Sequence, residues 1–273
     1  MNATMVIART TIGEALRRKI LNAFLMVGIA LIVLTFAFST FAPREELTLI
    51  KGMGLGIISR AGIFISVILA INLIPNEIEK RTIYTILSKP VRRHEFLLGK
   101  YFGAIGTVLI NIGLMGLAFV VMVALKQAMA VGPDAPLGAR LAAVPIALPL
   151  FKGILMIYLQ MLLLCSLAVF FSVFLSPLVN FFLTLSLFII GNLSSFTQDL
   201  ANVNHNPLIK GFFTAVHYLV PNFGNFNIQN PLINPDVQIK NEALFLTQNV
   251  IYALVYAAVL MILAILVFDR REV

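Results

Sequence analysis

EIEKRTIYTILSKPVRRHEFLLGK, residues Glu77 to Lys100, sets six Lys or Arg and three Glu between two long apolar runs, with Pro90 near its middle. Its surroundings make that charge conspicuous. The chain has 273 residues, of which 60% are hydrophobic and only 12% charged, and its mean hydropathy is +0.97. A soluble domain carries roughly a quarter charged residues, so the composition is that of an integral membrane protein. No polar segment is long enough to build a core of its own, and residues 1–273 read as a single transmembrane domain. The formal charge of +8 would suggest nucleic acid in a soluble chain. In a membrane protein it reads as the positive-inside bias and attraction to anionic lipid. The lone Cys165 excludes an intramolecular disulfide and any multi-cysteine metal site.

About 20 apolar residues cross a hydrocarbon core of roughly 30 Å. Six segments meet that requirement: about 20–42, 53–75, 100–125, 153–175, 178–197 and 248–268. The first is too long for a signal peptide and lacks a small-x-small cleavage pattern, so it reads as a retained span. Six spans put both ends on one side. With the N-terminus inside, the inner connectors hold twelve Lys or Arg, six of them in the quoted stretch, and the outer ones seven. The bias predicts cytoplasmic N- and C-termini in a multi-pass protein of the cell membrane.

The connectors differ in kind. Ser176-Pro177 leaves room only for a tight inner hairpin, while Val131 to Leu150 carries four prolines that keep it irregular. Within the long outer stretch Ala201 to Thr247, Leu208 to Val220 has a helical stripe of Ile209, Phe212, Phe213 and Val216, with Asn206 as N-cap and Pro207 at the first position. Thirteen residues cannot span; such a helix lies on the interface or dips into the membrane as a re-entrant element. Ahead of the first span, Met5, Ala8, Ile12, Leu16 and Ile20 share one helical face opposite Glu14 and Arg18. That pattern fits an amphipathic helix on the inner leaflet, with a solvated basic lead-in as the alternative.

Chemistry is largely missing. His94, His205 and His217 all fall in connectors, and neither a zinc-protease motif nor a nucleotide-binding loop occurs. The chain reads as a non-enzyme without cofactors of its own. An ion-coupled carrier needs an acidic residue or histidine within the bilayer, and the six segments hold none. Arg60, about two turns in from the outer end of its segment, is the one charge there. A snorkelled anchor is its simplest role, and it is also the first choice for contact with an anionic substrate. Asn72, Asn111, Gln160, Asn180 and Asn192 complete the candidate substrate path, with hydrogen bonding between helices as their bland alternative. Gly99, Gly103, Gly106, Gly113 and Gly116, like Gly52 and Gly56, allow close helix approach, either inside the chain or at a dimer seam.

A motorless bundle with one elaborate inner connector suggests energy supplied from outside. Read as helix, the connector gives Ile83, Ile86 and Leu87 a short apolar face, with Glu79, Lys80, Thr82 and Lys89 turned away and Pro90 ending it. Glu77, Thr82-Ile83, Ile86-Leu87-Ser88, Pro90-Val91, Arg93 and Leu97-Leu98-Gly99-Lys100, in that order and spacing, resemble the permease subunit of ATP-binding-cassette transporters of the type-2 exporter family. Arg81 stands where that family often has glycine. The lead-in Ala8 to Arg18, the six spans, YLVPNFGNFN (Tyr218 to Asn227) and the basic C-terminus fit the same resemblance.

It implies an all-α membrane protein whose connector is the coupling helix, seated in a separate cytosolic ATPase that holds ATP and Mg, and whose segment before the last span is re-entrant. It also implies a second permease copy or paralogue. On that reading Ile83, Ile86 and Leu87 dock, and Glu79, Arg81, Arg92 and Arg93 set register. The expected function is export or extraction of a substrate driven by the partner. A membrane anchor or assembly subunit without a transport path is the main alternative, and an ion-coupled carrier the third.

Overall fold

The computed structural model describes residues 3–39, 46–75, 77, 92–130, 149–194, 199, 207–227 and 241–270. Its elements are helical throughout: α1 (Ala3–Leu16), α2 (Lys19–Ser39), α3 (Glu46–Ile71), α4 (Arg93–Ala130), α5 (Leu150–Ser172), α6 (Pro177–Asn192), α7 (Pro207–Leu219), a 3₁₀ turn (Phe223–Phe226) and α8 (Glu242–Arg270). Among the described residues, α2, α3, α4, α5 and α8 are long and apolar enough to cross a membrane. The 16 residues of α6 reach about 24 Å at 1.5 Å per residue, short of a typical hydrocarbon core.

Most of the helices outrun their apolar windows, and charge explains where they stop. Glu46 opens α3 and Glu242 opens α8, each where a helix N-terminus favours an anion. Glu46 pairs with Lys126 of α4 at 2.9 Å, and Glu242 with Lys152 of α5 at 2.9 Å. Lys126 also lies 4.8 Å over the Phe36 ring of α2. These contacts gather ends of five helices. α3 thus starts ahead of its apolar segment, and Arg60 lies 14 residues along the helix from Glu46.

The bundle is built around α5, with 78% of its apolar window buried inside the protein against 22% for α2 and 28% for α8. It packs on α3, α4, α6 and α8. Val173 to Leu175 close the helix with hydrogen bonds back to Phe170 and Phe171. Ser176 then adopts an extended backbone ahead of Pro177, which starts α6. Asn180 donates to the Ala168 carbonyl at 2.9 Å and accepts from Thr184 at 2.9 Å. It therefore stitches the α5–α6 hairpin.

The N-terminal helix packs on α4 along a face that only partly coincides with the stripe read in the sequence. Thr11 and Ala15 are buried and Ile7, Ala8 and Ile12 half-buried against α4, while Met5, Leu16 and Ile20 are exposed. The seat on α4 is a glycine row, which is why a purely hydrophobic stripe misleads. A Cβ at Gly99 would stand 2.9 Å from the Thr4 carbonyl oxygen, and one at Gly103 would stand 2.5 Å from the Thr11 Cβ and 2.9 Å from the Ala8 carbonyl oxygen. Gly106 receives Ile12, and Gly116 receives Ile154 of α5. Four of these five glycines thus serve packing inside the chain; Gly113 faces open space.

Gly103→Leu should lift α1 off α4. Overpacking of this kind costs about 1–3 kcal/mol. The expected result is a lower unfolding temperature in detergent together with faster proteolysis around Arg17 and Arg18. Unchanged protection there would show that α1 does not depend on this seat.

Candidate functional site

Two places gather polar groups that an apolar bundle does not otherwise need. One is the root of the charged connector. Residues 78–91 lie outside the described residues, and with them Glu79, Arg81, Thr82, Ile83, Ile86, Leu87 and Pro90. The residues flanking them are described. Lys100, buried in α4, makes an ion pair with Glu77 at 2.5 Å, and Glu14 of α1 stands 3.9 Å from the same Nζ. Lys100 and Glu77 side chains are 7% and 15% exposed, so the pair is largely shielded from water and lipid. The ion pair ties Glu77, six residues past the end of α3, to the first turns of α4, clamping the connector at its base.

At the start of α4 the exposed Arg92 offers its backbone N–H to the Glu95 carboxylate at 3.0 Å, one half of a capping box. The Arg93 guanidinium donates to the Phe268 and Asp269 carbonyls at 3.4 and 3.5 Å, satisfying the C-terminal end of α8, where cations are favoured. Phe96 stacks on Phe268 at 6.3 Å. Through Glu77, Glu14, Lys100 and Arg93, the base of the connector is fastened to α1, α4 and α8.

The second place is a cavity of about 360 Å³ at α3, α5, α6 and the 3₁₀ turn, with Ser59, Arg60, Gln160, Asn192 and Asn227 as its polar lining. Of the six candidate path residues it brings together Arg60, Gln160 and Asn192. Asn72 instead donates to the Ile68 carbonyl one turn back, at 3.0 Å, and Asn111 to the Thr107 carbonyl at 2.8 Å. Asn180 belongs to the hairpin stitch.

The wall of this cavity is a non-helical return of the chain. After α7, residues 220–227 fold against α5 and α6, with Phe223 and Phe226 fully buried. Irregular backbone within an apolar bundle must have its N–H and C=O groups satisfied by protein, and side chains from two helices do this. Gln160 donates to the Phe223 carbonyl at 3.0 Å. The Tyr252 hydroxyl accepts from the Asn222 N–H at 2.8 Å, and the Tyr256 hydroxyl donates to the Leu219 carbonyl at 2.7 Å. His217 Nδ1 meets Ser194 at 3.0 Å.

Tyr252 and Tyr256 escaped the sequence reading. Their spacing, i and i+4 on an otherwise apolar helix, is the signal that was there to be used. Among the described residues no three His, Cys, Asp or Glu side chains gather as a metal site.

A family model described as ABC-2 family transporter protein matches residues 5–273. The chain belongs to the ABC-2 transporter family. A search among curated proteins finds no match. As a member of that family the ABC-2 chain is a multi-pass membrane subunit of a transporter. The match runs through most of α1, both polar places and α8.

Proposed function

We propose that this ABC-2 chain is the permease of an ATP-driven transporter that exports or extracts its substrate, energised by a separate cytosolic ATPase seated on connector 77–100. The observation that carries the reading is the clamp at the connector's base. A loop that merely joined two spans would need no buried Lys100–Glu77 pair. A loop that receives force from a nucleotide-driven partner does, because a push on it must move α3 and α4 together rather than bend the joint. Glu14 and Arg93 extend the same push to α1 and α8.

In this reading α6 counts as a short sixth span, so both ends of the chain lie in the cytoplasm of a cell-membrane protein. Segment 207–227 is re-entrant. Supporting re-entry, the end of α7 is bonded to Tyr256, which lies 14 residues along α8 and within its apolar segment. A second permease copy or paralogue completes the assembly, with ATP and Mg bound by the partner.

The connector carries the test. Arg81→Glu, Arg92→Glu and Ile86→Asp are each expected to lower transport-linked ATP turnover several-fold in proteoliposomes containing both subunits, with membrane insertion intact. Unchanged turnover in all three removes the connector from this role and leaves an anchor subunit as the better account.

A further inference from the structure

The cavity lined by Arg60 holds a cation to which no described residue supplies a counter-charge. Ser59, Gln160, Asn192 and Asn227 are neutral, and so are the apolar residues that complete the lining. Among the described residues Arg60 makes no ion pair or hydrogen bond. Its guanidinium folds back over Gly56, one turn toward the Glu46 end of α3, and a Cβ at Gly56 would stand 2.7 Å from its Nη1. The helix therefore clears space for the charge. Gln160 is already committed, to the Phe223 carbonyl and, at 3.4 Å, to the Asn192 side-chain oxygen, which holds that wall in place. Arg60 and the Ser59 hydroxyl remain as donors for a guest. Arg60 is exposed on the cavity side of an apolar helix; an unpaired charge in such a segment is costly, and a bound anion lowers that cost.

The shape of the site narrows the class of guest. The remaining lining is apolar, with Ile63 and Ile157 inside and Ile189 and Leu193 on α6 53% and 51% exposed at the rim. Resting on the transporter reading above, we propose that this cavity binds the anionic head of an amphiphile, phosphate or carboxylate, through the Arg60 guanidinium and Ser59. The hydrocarbon tail leaves sideways past Ile189 and Leu193. The volume, near the low end of the roughly 300–1,000 Å³ usual for ligand sites, suits a head and the first few methylenes rather than a whole lipid.

The purified permease–ATPase complex in neutral maltoside detergent is titrated with dodecyl phosphate, with dodecylphosphocholine and with inorganic phosphate, and bound species are counted by native mass spectrometry. Dodecyl phosphate is expected to saturate at one molecule per permease chain, at least tenfold more tightly than dodecylphosphocholine, with no competition from inorganic phosphate. Arg60→Gln should weaken it by tenfold or more, as loss of a charged hydrogen bond does, and erase the preference. Arg60→Lys should keep most of it, and Ile189→Trp should weaken both amphiphiles equally. Equal binding of the two amphiphiles, full competition by inorganic phosphate, or an unaltered Arg60→Gln complex overturns the proposal. Each of these outcomes leaves the connector experiment, and the transporter reading it tests, untouched.

Discussion

Lys100→Met should be the most damaging single substitution at the connector. It removes the Lys100 ammonium from the Glu77 carboxylate, 15% exposed, and breaking a buried pair by removing one partner costs about 3–5 kcal/mol. The expected result is a marked fall in the unfolding temperature of the detergent-solubilised permease and near-complete loss of transport-linked ATP turnover. The double variant Lys100→Met/Glu77→Gln separates the two effects. With both charges gone, most of the stability should return, because apolar replacement of a buried pair is often close to neutral. Coupling should stay low, because the joint between α3 and α4 is no longer held. Recovery of full turnover in the double variant would mean that the pair serves stability alone.

Gly191→Leu is expected to dislodge the chain return beside the cavity. A Cβ at Gly191 would collide with the Pro221 carbonyl oxygen and stand 2.6 Å from the Phe223 ring. The first of these is backbone and cannot rotate away, so residues 220–227 must move. Overpacking costs about 1–3 kcal/mol, and the bonds from Gln160, Tyr252 and Tyr256 are strained with it. The reporter is Asn222→Cys, at a position whose N–H is held by Tyr252. Its thiol should become several-fold more reactive to a water-soluble maleimide when Gly191→Leu is added. Equal labelling in the two backgrounds would show that the return does not rest on this glycine.

The placement of the long helices was legible because twenty apolar residues in a row have few other fates. Their ends were less so. The apolar segment was read from about residue 53, yet α3 continues back to Glu46, where an ion pair with Lys126 and the helix dipole sustain it. The ion pair depends on a partner remote in sequence, which no local pattern announces.

The seat of α1 on α4 was not legible for a related reason. Its contact with α4 is made by Ile7, Ala8, Thr11 and Ile12 entering a glycine row, so close approach as well as hydrophobicity decides the fit. For the cavity, Arg60, Gln160 and Asn192 could be named as polar outliers. That three of the six share one space while Asn180 stitches a hairpin and Asn72 folds onto its own helix depends on tertiary packing. Tyr252 and Tyr256 look like ordinary apolar filling until the carbonyl and N–H groups they serve come into view.

Those two tyrosines bear on how the protein is made. The return segment has one set of partners on α5, already synthesised when residues 219–227 emerge, and another on α8, which follows. Until α8 has entered the bilayer, the Leu219 carbonyl and the Asn222 N–H lack the tyrosine hydroxyls they bond in the finished fold and must stay in water. The return at residues 219–227 therefore settles last, and the cavity takes its final form only when the C-terminal helix is in place.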